Sequence, residues 1–380
     1  MKWKTCFNVL AACFLHEIAV PCHAAAPVLS APDWTWPFFQ FTVTGEFNAT
    51  HVVERSTNLQ AWTPVFTNSG ASVSNRMLIT AMGTKGYYRV AESSLPLFAF
   101  ALAARSQIDF NGNNLRTDSF DSGDPNYSTA GLYDPLKNKE GGNVATPFGL
   151  TNSLSVGNAR IMGRVSTGPG GSVSVGSAGS VGSKAWIQSG MTGIEPGWWT
   201  RDMTRHFPDL SAPSNSGAFT PTPGTVDGTN YQYVLASGRY LLSSLALGSS
   251  NKMRVIGQAV LHITGGISMA GTALIEISRG AALKLYVGGP SALIGGNGIV
   301  NNTGNATNFQ YYGLPGNTSL SLSGSLFTGA IYAPSAGFTL SSGGSETYHF
   351  IGAVVARSVT VNGHCSVHFD ENLLRARLSP

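Results

Sequence analysis

The chain has 380 residues, of which only 11% are charged, and its formal net charge is +4. The lysines and arginines form no cluster that could follow a phosphate backbone, so nucleic acid is excluded as an expected partner. With 46 glycines and 19 acidic residues, the composition favours short strands joined by tight turns, as in β-rich exported proteins, and the length allows two domains.

The first residues have the pattern of a secretory signal peptide. Two lysines precede a mostly apolar stretch at 6–20, and small residues at 22–26 offer cleavage sites. We therefore predict removal of residues 1–24 and export to the cell surface or the extracellular space. Cys13 ends a Leu-Ala-Ala-Cys sequence of the lipoprotein type, but too few residues precede it for an ordinary signal, which disfavours lipidation. The mature chain has no apolar run of the roughly 20 residues that a transmembrane helix needs.

Cysteine usage separates the signal from the rest of the chain. Three of the four cysteines lie within the signal, so the mature chain keeps only Cys365. An internal disulfide and a cysteine-ligated zinc site are therefore excluded. We expect Cys365 to be a small apolar residue inside the last coil of the fold.

A first β-rich segment spans residues 27–92. Alternating apolar residues at 39–43, 51–55, 77–80 and 87–90 predict short strands, and turn residues separate them. Several short strands in a segment of this length indicate a small β-sandwich.

The same segment carries a recognisable motif. The sequence VERSTNLQAWTPV at 53–65, closed by YYRV at 87–90, resembles a fibronectin-type-III-like module that is common in exported bacterial proteins. The resemblance implies that Trp62 is a core anchor of the sandwich.

Residues 97–374 have a different and longer repeat. Alternating apolar segments recur, for example at 260–263 and 274–277, each closed by Gly, Asn or Ser. The clearest repeat pairs FTGAIYA at 327–333 with FIGAVVA at 350–356, which lies 23 positions later, and FTL at 338–340 then corresponds to VTV at 359–361. A repeat of this length without a helix indicates successive coils of a β-solenoid, with a second sandwich or a barrel as the alternative.

The predicted fold class is therefore all-β, a small N-terminal β-sandwich followed by a right-handed parallel β-helix (solenoid). Small residues in the repeat, such as Gly329 and Gly352, suit sharp corners of the coils. We expect Asp370 and Glu371 to lie in a polar cap that ends the stack.

Residues 187–230 interrupt the alternation, and no strand pattern is recognisable there. The stretch contains Trp198, Trp199, Arg201 and Arg205, followed by a proline-rich run. A loop of this length is either a functional excursion or a covering flap. The four side chains could form a platform for sugar rings or a surface for a protein partner. Alternatively, the tryptophans clamp the excursion onto the solenoid.

From residue 98 to 374 the chain resembles a family of secreted bacterial β-solenoid domains, related to domains on pilus-assembly-associated proteins. The segments that carry the resemblance are DSFDS at 118–122, RVSTGPGG at 164–171, NFQYYGLPG at 308–316, FTGAIYAP at 327–334, and VNGH at 361–364 running into HFDE at 368–371. The resemblance implies the solenoid fold, and it brings no activity with it.

Parallel β-helices often cleave acidic polysaccharides, so we ask whether this sequence contains the residues that such catalysis needs. A hydrolase needs two carboxylates at a controlled separation, and a lyase needs a base and a cation. Glu276 is nearly alone on its strand, and the Asp-Asp, Gly-His-Gly and Arg-x-Lys signatures of pectin-cleaving β-helices are absent. We therefore predict that the protein is not an enzyme.

An acidic stretch is the best candidate for a metal site, and calcium is its best-suited ion. Oxygen ligands at alternate positions are what Ca²⁺ takes from a tight loop. The candidate ligands are Asp109, Asn111, Asn113, Asp118 and Asp121. The stretch departs from the EF-hand pattern, and the alternative is a turn whose side chains bond to their own backbone. No other cofactor is predicted.

These features together predict a non-catalytic exported protein with a structural, adhesive or binding role. Its expected partners are polysaccharide or other envelope proteins, and the exposed edge of an end coil could pair with another copy of the chain. The alternative is a polysaccharide-binding or polysaccharide-degrading β-helix protein in which Trp198 and Trp199 line the site.

Overall fold

The computed structural model describes residues 28–35, 38–44, 49–60, 62–69, 74–80, 86–94, 96–112, 114–324, 326–342 and 347–376. The predicted signal peptide, Cys13 and the candidate ligand Asn113 lie outside these residues. The chain divides into two compact units, residues 1–95 and 96–380, and each is described separately. Within the described ranges, no helix is long and apolar enough to cross a bilayer.

The first unit contains two three-stranded antiparallel sheets, ordered β1-β2-β5 and β4-β3-β6. Their strands are β1 (Val28–Thr35), β2 (Phe38–Thr44), β3 (Ala49–Ser56), β4 (Thr63–Ser69), β5 (Ser74–Thr80) and β6 (Tyr87–Ser94). The four strand segments predicted from the sequence fall within β2, β3, β5 and β6. Phe41 and Val53 are buried, whereas Trp62 is only half-buried, with the Arg89 guanidinium 4.3 Å from its ring centroid.

The second unit is built almost entirely from short strands. Its elements are β7 (Leu102–Ala104), β8 (Ile108–Asn111), β9 (Arg116–Phe120), β10 (Val144–Ala145), β11 (Leu154–Gly157), β12 (Arg160–Met162), β13 (Val165–Ser166), β14 (Val173–Val175), β15 (Ser180–Gly182), α1 (Lys184–Gln188), β16 (Gly193–Ile194), β17 (Trp199–Thr200), β18 (Thr222–Val226), β19 (Thr229–Leu235), β20 (Gly238–Leu242), β21 (Leu245–Leu247), β22 (Lys252–Val255), β23 (Gln258–Ile263), β24 (Ile267–Met269), β25 (Leu274–Ile277), β26 (Ala282–Val287), β27 (Ser291–Ile294), β28 (Gly298–Asn301), β29 (Phe309–Gly313), β30 (Ser319–Gly324), β31 (Leu326–Ser342), β32 (Tyr348–Asn362) and β33 (Cys365–Asp370), with 3₁₀ turns at Ala306–Asn308 and Glu371–Leu374.

These strands form stacked parallel coils with three faces, which is the solenoid expected from the sequence. Face A contains β7, β10, β13, β17, β20, β23, β26, β29 and the central parts of β31 and β32. Face B contains β8, β11, β14, β21, β24, β27, β30 and the last parts of β31 and β32. Face C contains β9, β12, β15, β16, β19, β22, β25, β28, β33 and the first parts of β31 and β32.

Alternation along each strand fills the interior of the stack. In β27, Ala292 and Ile294 point inward and are buried, while Ser291 and Leu293 are exposed. Each coil therefore covers the apolar row of its neighbour, and one continuous apolar core runs through the stack. Cys365 lies in this core, as predicted, and burial raises its pKa to about 11.

The two copies of the sequence repeat, 327–333 and 350–356, lie in neighbouring coils and pair in register. Phe327 lies opposite Phe350, and their rings stack with centroids 4.7 Å apart. At the predicted corner, Gly352 has φ = +134°, and a Cβ there would lie 1.8 Å from the Gly329 carbonyl oxygen. Two coils can approach this closely only without a side chain at Gly352.

The order of coils along the stack differs from their order in the chain. Strands β7 and β8 pair with β32, and β9 pairs with β33. On their other side the same strands pair with β10, β11 and β12. The chain therefore forms its first coil in the middle of the stack and adds coils outward as far as β16 and β17. It then crosses to the opposite end of the stack, where the β18–β19 hairpin lies. From there it adds coils back toward the middle and ends at β33.

The expectation of a polar cap at Asp370 and Glu371 is consequently wrong. Strand β33 does not end the stack, because β9 pairs with its outer edge. Asp370 is fully buried and accepts hydrogen bonds from the backbone N–H and the hydroxyl of Ser122. Burial raises the pKa of Asp370.

A strap, residues 201–218, connects the two ends of the stack across face A. It bonds to three well-separated coils. Met203 N–H donates to the Thr167 carbonyl at 3.1 Å, the Tyr332 hydroxyl donates to the Pro208 carbonyl at 2.9 Å, and Asn215 bonds to His262 at 2.8 Å. The predicted interruption at 187–230 is thus only partly irregular, because β16, β17 and β18 lie within it.

Candidate functional site

Face B is the face of the stack whose outward side chains stay accessible along its whole length. Face A lies beneath the strap. The middle of face C lies beneath the segment 121–143, from which Tyr133 and Asn138 hydrogen-bond to Asp118. On face B, by contrast, the central outward position of every strand is exposed or half-exposed.

Those central positions form one continuous ladder in register, called the hydroxyl ladder below. Its members, from one end to the other, are Ala246, Ser268, Leu293, Ser321, Thr339, Thr360, Asp109, Ser155 and Ser174. Parallel strands lie about 4.8 Å apart, so nine strands extend the ladder over about 38 Å. Six of its nine side chains carry a hydroxyl group.

Two further rows flank the middle of the ladder. One row contains Ser291, Ser319 and Ser358, with Gly337 between the last two, and the other contains Ser323, Ser341, Asn362 and Asn111. Side chains two residues apart on a strand are separated by about 6.6 Å. The face is therefore a regular grid of mostly small polar groups, with Leu293 as an exposed apolar exception.

The hydroxyl groups in the middle of this grid are available for bonding. Among the described residues, no protein group forms a hydrogen bond with the hydroxyls of Ser321, Thr339 or Thr360. A free hydroxyl both donates and accepts, so each can bond to water or to a ligand.

The tryptophan residues singled out from the sequence lie at the end of the stack that β16 and β17 form. Trp198 and Trp199 are half-buried and pack against the core. The Arg164 guanidinium lies 4.8 Å from the Trp198 ring centroid, and that of Arg201 lies 4.0 Å from the Trp199 ring. On the face that the arginine covers, a sugar ring could stack on either indole only after displacing that arginine.

Arg205 does not join this group. Its guanidinium donates to the Pro96 carbonyl and lies 5.5 Å from the Phe207 ring centroid. Burial lowers its pKa. The structure thus brings Trp199 and Arg201 together and directs Arg205 toward the beginning of the stacked unit.

The candidate calcium ligands are also divided between faces. Asp109 and Asn111 lie on face B, joined by a hydrogen bond of 2.8 Å. Asp121 forms an ion pair with Arg375, whose hydrogen bonds hold the pKa of the Asp121 carboxyl below its usual range. Asp118 faces His368 on face C. Within the described residues, no three His, Cys, Asp or Glu side chains converge as metal ligands.

Asp118 belongs instead to a histidine relay that the sequence analysis missed. The His368 Nδ1 lies 2.6 Å from Asp118 Oδ1, and the His368 Nε2 lies 3.0 Å from His349 Nδ1. Both Asp118 and His368 are buried, whereas His349 is exposed. The relay therefore runs from a buried carboxylate to the surface of face C.

The surroundings of the relay fix its hydrogen bonds. A carboxylate oxygen can only accept, so Nδ1 of His368 donates to Asp118. Tyr133 donates to the other carboxylate oxygen at 2.7 Å and stacks on the His368 ring with centroids 3.7 Å apart. Burial and the adjacent Asp118 raise the pKa of Tyr133, while burial and the adjacent His368 lower that of His349.

No local spacing in the sequence could reveal this relay. Asp118 and His368 are 250 residues apart and meet only because β9 pairs with β33. The one available signal was the placement of His349 and His368 in neighbouring coils of the predicted repeat.

Residues 212–376 match a family model described as a domain of unknown function, DUF7305. The match takes in the end of the strap and the strands from β18 to β33, so the second unit contains a DUF7305 domain that β7–β17 extend with further coils. No curated protein and no solved structure matches the chain.

Proposed function

We propose that the protein is an exported, non-catalytic protein of the cell surface or the extracellular space that adheres to an ordered polysaccharide through face B. The observation that carries the proposal is the hydroxyl ladder, a row of nine accessible side chains about 38 Å long, six of them with a hydroxyl group.

A polyhydroxylated polymer suits this grid for two reasons. Its hydroxyl groups donate and accept, as do those of Ser321, Thr339 and Thr360. Each exposed hydrogen bond contributes little by itself, on the order of 1 kcal/mol or less. A repeating ligand on a repeating face engages many such bonds at once, and the low charge of the chain favours a neutral partner.

The distribution of carboxylates supports binding without cleavage. Asp109 is the one acidic member of the hydroxyl ladder, whereas glycoside hydrolysis uses a pair of carboxyl groups that flank the scissile bond. Glu276, on face C, is occupied by an ion pair with Arg254 and by a hydrogen bond from Tyr231.

Export rests on the signal pattern and on the resemblance to secreted bacterial solenoid domains. The fibronectin-type-III-like motif at 53–65 is consistent with a protein of that environment. Envelope proteins are further partners to test on the same face, and a second copy of the chain is a partner to test at the exposed edge of an end coil.

The experiment is co-sedimentation of the purified chain with insoluble polysaccharides such as cellulose and chitin, with assays for new reducing ends and unsaturated products in the same tubes. Thr339→Tyr places a bulky ring in the middle of the hydroxyl ladder. Val300→Tyr is its matched control, because Val300 is an exposed outward residue of β28 on face C. Thermal unfolding curves establish that both variants are folded.

We expect the wild-type chain and Val300→Tyr to pellet equally, Thr339→Tyr to bind at least tenfold more weakly, and no products to form. Product formation contradicts the non-catalytic assignment. No pelleting by the wild-type chain overturns the adhesive one. If Trp199→Ala abolishes binding and Thr339→Tyr does not, the binding site lies at the end of the stack.

A further inference from the structure

The histidine relay contains a pair of imidazole nitrogens that face each other. Nδ1 of His349 and Nε2 of His368 are 3.0 Å apart, and a single proton between them satisfies both. Imidazole nitrogens arranged in this way share whatever cation lies between them, which is a proton or a metal ion.

The second nitrogen of His368 is already fixed in the manner of a metal ligand. A metal-binding histidine almost always donates its other N–H to a carboxylate or a carbonyl, which sets the tautomer and raises the basicity of the ligating nitrogen. His368 donates Nδ1–H to Asp118, and the stacked ring of Tyr133 holds the imidazole plane. This arrangement leaves the lone pair of Nε2 directed at His349.

A tetrahedral ion between the two nitrogens requires the His349 ring to reorient. Zinc–nitrogen bonds of about 2.0–2.1 Å at the tetrahedral angle place two ligating nitrogens about 3.3 Å apart. The observed distance is 3.0 Å, and the two rings are nearly parallel with centroids 5.3 Å apart, so His349 has to rotate as well as move away before both lone pairs meet at one ion. His368 is buried, but His349 is exposed and free to make this adjustment.

We propose that His349 and His368 bind a transition-metal ion, Zn²⁺ or Cu²⁺, through Nδ1 of His349 and Nε2 of His368, with Asp118 as the supporting carboxylate. Imidazole suits these ions, whereas Ca²⁺ takes oxygen ligands. Water would fill the remaining coordination positions, because His349 is exposed at the surface of face C. The proposal is independent of polysaccharide adhesion, because the hydroxyl ladder lies on face B.

The test is calorimetric titration of Zn²⁺ and Ca²⁺ into the metal-stripped chain, prepared without a polyhistidine tag. The variants are His349→Ala, Asp118→Asn and the control His364→Ala. His364 is a neighbouring histidine between β32 and β33 that bonds to Asn114 instead. Imidazole ¹⁵N chemical shifts, recorded with and without Zn²⁺, identify the nitrogens that bind the ion.

We expect one Zn²⁺ per chain, no heat with Ca²⁺, and an unchanged affinity in His364→Ala. His349→Ala and Asp118→Asn should each weaken binding by tenfold or more, the latter because the supporting carboxylate is lost. Two results overturn the proposal, namely no Zn²⁺ binding by the wild-type chain, or equal binding by His349→Ala. Shifts confined to nitrogens other than His349 Nδ1 and His368 Nε2 overturn it as well.

Discussion

Asp118 is a buried acceptor that joins three hydrogen-bond donors on face C. Its carboxylate accepts hydrogen bonds from His368, Tyr133 and Asn138, at 2.6, 2.7 and 2.9 Å. Tyr133 and Asn138 lie in the covering segment 121–143 and His368 lies in β33, so the Asp118 side chain holds the covering segment to the coils.

Asp118→Ala leaves three donors without this acceptor, and all three are buried or half-buried. An unsatisfied buried group costs about 1–3 kcal/mol, and more when a charge is involved. We expect a loss of about 3 kcal/mol in the free energy of unfolding, measured by urea denaturation. The control is Asp227→Ala, whose side chain is 86% exposed and whose loss should cost less than about 1 kcal/mol. Equal effects of the two substitutions would contradict this role for Asp118.

Glu276 provides a pH-dependent contribution to stability. Burial by itself raises the pKa of Glu276, but hydrogen bonds from Arg254, Asn302 and Tyr231 outweigh burial and lower it overall. The unfolded chain therefore takes up this proton at a higher pH than the folded chain does. The stabilisation is complete above the unfolded pKa, near 4.5, and disappears as pH falls through the lower folded pKa.

Glu276→Gln should accordingly reduce the dependence of stability on pH between about 5 and 3. The measurement is the denaturation midpoint of both proteins across this pH range. Parallel pH profiles for the two proteins would show that the ion pair with Arg254 contributes nothing at these pH values.

At the scale of elements, the strap behaves as part of the core and not as a loose excursion. Phe207 is 1% exposed, and Arg105 donates to its carbonyl oxygen. Phe219, immediately after the strap, is 66% exposed.

The two phenylalanines allow a matched comparison. Phe207→Ala removes a buried ring and should cost about 3–5 kcal/mol, whereas Phe219→Ala should cost less than about 1 kcal/mol. Chemical denaturation of the two variants measures both values. A small effect of Phe207→Ala would mean that the strap is not packed on face A in solution.

The sequence was sufficient to predict those elements that are marked by a pattern within a short stretch of residues. Alternation identified strands such as 260–263 and 274–277, and the repeat at 327 and 350 predicted the register of two coils. The repeat places 327–333 and 350–356 at a separation of 23 positions, and it also predicted the pairing of 338–340 with 359–361, at a separation of 21. The register confirms both, with Phe338 opposite Val359, and the change in separation falls at the irregularity between Ala333 and Gly337.

The candidate site was less accessible to the same reasoning. Each hydroxyl of face B is an ordinary outward residue of its own strand, and the ladder emerges only when nine strands are placed side by side. Trp198 and Trp199 were predicted as site residues because large aromatic side chains can form binding platforms, yet each indole already lies beside an arginine.

At the scale of the whole unit, the interrupted order of coils is the feature that sequence could not provide. The pairing of β7 with β32 joins segments about 250 residues apart that share no repeat. Coils added in simple chain order would place β14 and β21 near each other. In the structure, Ser174 of β14 and Ala246 of β21 are the opposite ends of the hydroxyl ladder.

Spin labels at these two positions distinguish the two arrangements. With the native cysteines replaced by serine, Ser174→Cys and Ala246→Cys should give a pulsed-EPR distance near 38 Å, from eight spacings of about 4.8 Å. The control pair Ser155→Cys and Thr360→Cys spans the junction between β8 and its neighbours and should lie about 10 Å apart. A short distance for the first pair would refute the interrupted order.

The position of the unit's first and last strands also determines how it would respond to mechanical load. Residues 96 and 376 adjoin neighbouring coils, so tension applied between them acts first on the junction of β7, β8 and β9 with β32 and β33. The coils on either side of this junction carry none of that tension until it opens. Coils can therefore be gained or lost at either outer end, lengthening or shortening face B, without changing the part of the molecule that bears force.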